Sequence, residues 1–131
     1  MKNIWLALIG VTALVGVAAC NKAEPPSEVR HDVASARRDA AENVADAQRK
    51  ADAKVANEAK DVSGDMKDVR NAQADGAYKV AMEKADGEYK ITKEKCEALS
   101  GDAQKACKDQ AQARYDSAKA AAKAQYDRSH S

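Results

Sequence analysis

Residues 75–107 read DGAYKVAMEKADGEYKITKEKCEALSGDAQKAC. The first two thirds of this stretch nearly repeat themselves: Asp75-Gly76…Tyr78-Lys79-Val80 returns eleven residues later as Asp86-Gly87…Tyr89-Lys90-Ile91. The last third carries Cys96 and Cys107 with Ser100-Gly101-Asp102 midway between them. On an unbroken α-helix eleven residues span about 16.5 Å. A disulfide needs Cα atoms within roughly 4.4–6.8 Å. The two cysteines therefore pair with each other only if the chain reverses between them. Glycine suits the residue just past a helix end, and an aspartate after it can cap the next helix. A reversal near residue 102 brings together residues whose numbers add to about 204, which sets Tyr78 against Tyr126 and Tyr89 against Tyr115. Ring pairs of this kind add about 0.5–1.5 kcal/mol beyond their area burial.

Outward from this hairpin the eleven-residue period continues in both directions. Cut from His31, the third position of successive blocks reads Val33, Val44, Val55, Met66 and Ala77, and the sixth reads Ala36, Ala47, Glu58, Val69, Val80 and Ile91. Eleven residues in three turns is about 3.67 per turn, which keeps one stripe facing one way along a nearly straight helix. The stripe is narrow and rich in alanine, so helices can approach closely but bury little area per residue. Asp75-Gly76 and Asp86-Gly87 stay in register with the repeat and read as helix-interior glycines costing about 1 kcal/mol each. Ser63-Gly64-Asp65 duplicates the tripeptide of the hairpin and is a second turn candidate. The expected fold is all-α: helices over about 28–62, 65–99 and 102–128, the last two an antiparallel hairpin over 65–128. Whether the first helix folds back at Gly64 or runs straight on is left open.

Composition agrees with this shape. The chain has 131 residues, 22 Lys+Arg, 21 Asp+Glu and no Phe. Beyond residue 19 only 15 Val, Ile, Leu, Met or Tyr residues occur. A thick-cored enzyme fold needs far more. A formal net charge of +1 argues against a nucleic-acid partner. There is no Ser–His–Asp or Cys–His neighbourhood and no glycine-rich phosphate loop, so a catalytic role is not expected. No metal or cofactor is expected either. Two thiols need further ligands, and His31 and His130 lie far apart in the sequence. Acidic and basic residues read as solvated partners: Asp46–Lys50 and Lys54–Glu58 give small helix support, whereas Glu24 and Glu28 repel.

The N-terminus has its own pattern. Met1-Lys2-Asn3 is a short positive segment, and Ile4 to Val17 is an apolar run of 14 residues. About 20 are needed to span a bilayer, so the run suits a signal peptide rather than a membrane helix. It ends Val17-Ala18-Ala19-Cys20, which resembles a bacterial lipobox. The resemblance implies removal of residues 1–19, diacylglycerol on the Cys20 sulfur and acylation of its new amine, a membrane partner held by acyl chains. Asn21, where an aspartate favours inner-membrane retention in lipoprotein families, implies the periplasmic face of the outer membrane. Residues 20–27, with Pro25-Pro26, then form a stiff tether, with Ser27 an N-cap and 28–128 the helical domain. In an oxidising periplasm the pair left after Cys20 is lipidated, Cys96 and Cys107, is expected to join. Free thiols or a bond to a second chain are the alternatives.

The segment Glu88-Tyr89-Lys90…Lys95-Cys96-Glu97-Ala98-Leu99-Ser100-Gly101-Asp102-Ala103-Gln104-Lys105-Ala106-Cys107 resembles the tail of small proteobacterial envelope proteins, some of them termed TolA-like. The resemblance covers about residues 75–118 and implies a helical envelope protein with no catalytic residues. The Ala/Lys/Asp elevens also resemble late-embryogenesis-abundant proteins. Two roles follow as expectations. One is a structural or interaction lipoprotein that meets an envelope protein, peptidoglycan or another copy of itself. The other is a stress protectant that becomes helical on membrane surfaces.

Overall fold

The computed structural model of the chain describes residues 22–60 and 66–130. Over these the protein is all-α, with α1 (Pro26–Lys60), α2 (Met66–Cys96) and α3 (Gly101–Ser129) packed antiparallel. The first helix folds back on the second. The Ser63-Gly64-Asp65 turn candidate lies outside the described residues, as do residues 1–21 with the expected signal peptide and Cys20.

The helix ends differ from expectation for identifiable reasons. α1 begins at Pro26, where the fixed φ of proline suits the first helical position. The carbonyl of Pro25 accepts the Glu28 and Val29 N–H groups at 3.0 and 3.1 Å. Ser27 is therefore inside the first turn and is not the cap. α2 stops at Cys96, three residues before the expected end, because the chain tightens there. The N–H groups of Glu97, Ala98 and Leu99 donate to the carbonyls of Glu94, Lys95 and Cys96. Reversal thus occurs over Glu97–Ser100. Ser100 is the N-cap of α3, in extended conformation, and Gly101 already belongs to that helix. Gly101 has φ +57°, a conformation open to glycine and strained for a side chain.

α2 is the central element. Among the described residues α1 packs on α2 and α3 packs on α2, while α1 and α3 have no such contact with each other. The reason is rotational. Gly76 and Gly87 face α1, whereas Tyr78, Tyr89 and Cys96 face α3. At about 100° per residue these two sets lie nearly opposite on the helix. The result is a layer one helix thick. Its buried apolar residues are few and small: Val29, Ala72, Val80, Ala85, Cys96 and Ala111, joined by the glycines Gly76 and Gly87 and by one polar residue, Gln104.

The two glycines are more than propensity costs. A Cβ on Gly76 would stand 2.6 Å from the Ala51 Cβ, and one on Gly87 would stand 2.6 Å from the Ala40 Cβ. Each contact pairs a glycine of α2 with an alanine of α1. From one contact to the next, both helices advance eleven residues. The repeat is therefore the register of the α1–α2 seam.

Candidate functional site

The most highly constrained region is the α2–α3 turn. Cys96 and Cys107 are joined, with Cα atoms 5.7 Å apart. Cys96 is fully buried. Beside the bond, the Glu97 carboxylate takes the Lys108 Nζ at 2.7 Å and the Gln104 Nε2 at 2.9 Å. The same Gln104 amide donates to the Leu99 carbonyl at 3.0 Å. Gln104 is buried, and these bonds satisfy its donor. Further along the hairpin, the ring centroids of Tyr89 and Tyr115 are 5.0 Å apart, and those of Tyr78 and Tyr126 are 5.1 Å apart. Both pairs are those expected from a reversal near residue 102. Lys93 lies over Tyr89 and Lys119 over Tyr115, at 5.5 and 4.9 Å from the ring centroids, which adds cation–π attraction to the stack.

The N-terminal segment comes to this same turn. The Glu24 N–H donates to the Glu97 carbonyl at 2.9 Å. The stretch expected as a stiff tether, residues 20–27, thus includes one residue fastened across the disulfide turn. Glu24 is held there at some electrostatic expense. Its Oε2 is buried without a hydrogen-bond partner. Desolvation raises its pKa above the ordinary glutamate value, and the nearby Glu97, Glu28, Asp32 and Glu94 raise it further. The repulsion between Glu24 and Glu28 expected from the sequence is one of these contributions.

At the opposite end a polar clasp joins all three helices. Asp75 on α2 accepts the Lys54 Nζ of α1 at 2.6 Å. It also accepts the Tyr126 hydroxyl of α3. His130 Nε2 lies 3.7 Å from the same carboxylate, and its ring packs on Tyr126 with centroids 4.1 Å apart. The Lys54 ammonium holds the Asp75 pKa below the ordinary aspartate value, with the Tyr126 hydrogen bond adding to it. Reciprocally, Lys54 is raised. Lys54 makes its short bond to Asp75, and the charge of Glu58, the partner expected from the sequence, adds a smaller attraction. The Asp46–Lys50 pair forms as expected, at 2.6 Å, and holds Asp46 low.

The two faces of the layer differ. One carries Lys79, Glu83, Asp86 and Lys90, with Asp86 and Lys90 paired at 2.6 Å. The other carries shallow grooves floored by Ala77, Val80 and Ala81 and edged by Lys84 and Glu88. Among the described residues no group of three or more His, Cys, Asp or Glu is placed to hold a metal ion. No described helix is long and apolar enough to cross a membrane.

Of the residues singled out from the sequence, Cys96 and Cys107 are brought together, and Cys20 lies outside the described residues. The Asp75 clasp and the Glu24 fastening were not anticipated. A trace of the first exists in the eleven-residue register, which places Asp75 and Asp86 alike; Asp75 meets Lys54 of α1 and Tyr126 of α3, whereas Asp86 pairs with Lys90 on its own helix. Comparison of the chain with family models, with curated proteins and with solved structures found no match.

Proposed function

We propose that this protein is a lipoprotein of the bacterial outer membrane that faces the periplasm and serves, without catalysis, as a structural or interaction component of the envelope. The observation that carries the reading is the sulfur inventory. The chain has three cysteines. Two of them join inside the α2–α3 hairpin, which leaves Cys20, behind Val17-Ala18-Ala19, as the single thiol available to a lipid. A bond of this kind suits an oxidising compartment. The layer presents solvated charge on one face and shallow grooves on the other, an arrangement suited to contact with a partner along its length.

The test is labelling of growing cells with a palmitate analogue, followed by membrane separation. Label should travel with the outer membrane and vanish in Cys20→Ser. An unlabelled, freely soluble protein overturns the reading. In-cell crosslinking and mass spectrometry of captured proteins would then identify the partner. The stress-protectant reading is supported by the thinness of the core. It requires the lipid-free mature protein to be mostly coil in buffer and to gain helix on vesicles. Strong helical circular dichroism in buffer alone rejects it.

A further inference from the structure

The fastening of Glu24 to Glu97 fixes which end of the layer meets the bilayer, if Cys20 carries lipid as proposed above. Three residues separate Cys20 from Glu24, and the four Cα–Cα steps between them reach at most about 14 Å when fully extended. The acyl chains therefore hold the membrane close to the α2–α3 turn. Two residues beyond Glu97, Leu99 stands at the tip of that turn and is 40% exposed. Ala98, Ser100 and Gly101 around it are exposed as well, and so are Lys95 and Lys105 to either side. Gly101, with φ +57° and open space around its α-carbon, keeps the apex slim.

We propose that the turn Ala98–Gly101 is a second membrane contact, with Leu99 entering the boundary between headgroups and acyl chains. Lys95 and Lys105 then lie at headgroup level, their stems along the apolar region and their charges in water. One leucine binds a bilayer feebly from solution. Tethered within a few residues of an acylated cysteine, it acts at high effective concentration, and the second contact becomes intramolecular. Two contacts, one covalent and one apolar, hold the layer upright and point the α1–α2 end away from the membrane. Met66, 76% exposed, marks that distal end.

The chain's single tryptophan is Trp5, so the mature protein from Cys20 has none, and single-tryptophan variants report one site each. The mature Leu99→Trp and Met66→Trp proteins are coupled through Cys20 to maleimide-phosphatidylethanolamine in vesicles of phosphatidylethanolamine and phosphatidylglycerol with brominated acyl chains. Emission from position 99 is expected to shift blue and to be quenched about twofold, with position 66 unchanged. Equal emission at the two positions, quenched or not, overturns the seat. Because the vesicle coupling is chemical, this outcome is independent of lipidation in cells. Failed palmitate labelling would overturn the anchor, whereas labelled protein with equal emission at 66 and 99 would overturn the seat alone.

Discussion

At the scale of single residues, two glycines and one glutamate carry different lessons. Gly76 and Gly87 each lower helix propensity, and replacing either with alanine in an isolated helix would stabilise by about 1 kcal/mol. In this protein the added Cβ would meet a rigid alanine Cβ at 2.6 Å, so α1 and α2 must separate or bend. Overpacking of that kind costs about 1–3 kcal/mol. Gly76→Ala should lower the urea midpoint, and the double variant Gly76→Ala/Ala51→Gly should regain most of the loss. A single variant more stable than the parent would mean that the seam is loose. Glu24 supplies the second lesson. Its folded pKa is raised, so the folded state binds a proton more readily than the unfolded one, and falling pH relieves the repulsion as it passes through the folded value. Asp75 and Asp46 are lowered. Their stabilisation is complete above the ordinary aspartate value and is lost as pH falls through their lower folded values. Thermal stability should therefore rise on mild acidification and fall again in stronger acid. Glu24→Gln should be more stable than the parent at neutral pH and should lack the rise. Parallel profiles for the two proteins would show that Glu24 does not carry the effect.

At the scale of helices, α3 packs on α2 alone among the described helices, and the contact includes one disulfide, two tyrosine pairs, the Glu97–Lys108 bridge and the Asp75 clasp. Constraining a loop of this length in the unfolded chain stabilises by about 3 kcal/mol. Cys96→Ala/Cys107→Ala should lose roughly 2–4 kcal/mol, with amide exchange in α3 accelerating well before that in α2. Uniform acceleration across all three helices would instead show that the layer opens as one unit. The hairpin was the most legible part of the molecule, since cysteine spacing, the Ser-Gly-Asp turn and the tyrosine numbering each required the same reversal. The site of that reversal was less legible. Ser100-Gly101-Asp102 marks the turn, yet tight hydrogen bonds after Cys96 end α2 sooner and make Ser100 the cap. The role of Gly76 and Gly87 was hidden for a physical reason: a glycine in register looks like a cost until the opposite helix is known to bring Ala51 and Ala40 against it. The Glu24–Glu97 bond is a backbone contact between segments more than seventy residues apart, and no side-chain pattern encodes it.

At the scale of the whole molecule, the arrangement of three helices decides how far the protein reaches. α1, with 35 residues, is about 52 Å long at 1.5 Å per residue. Laid end to end the three helices would extend to roughly 140 Å, and a straight α1–α2 rod with only α3 folded back would reach about 100 Å. The close contacts Gly76–Ala51 and Gly87–Ala40 and the bond from Lys54 to Asp75 require the compact alternative, in which all three helices share one length. Because α1 and α3 flank α2 on nearly opposite sides, the cross-section is a slab rather than a round bundle, and each outer helix leaves most of its surface to water. Small-angle scattering from the mature, lipid-free protein should therefore give a maximum dimension of about 55–65 Å and a flattened cross-section. A value near 100 Å would mean that α1 has left the layer in solution. Reduction of the disulfide should leave the dimension almost unchanged while α1–α2 stays packed, because the seam of glycine and alanine, rather than the sulfur bridge, sets the length.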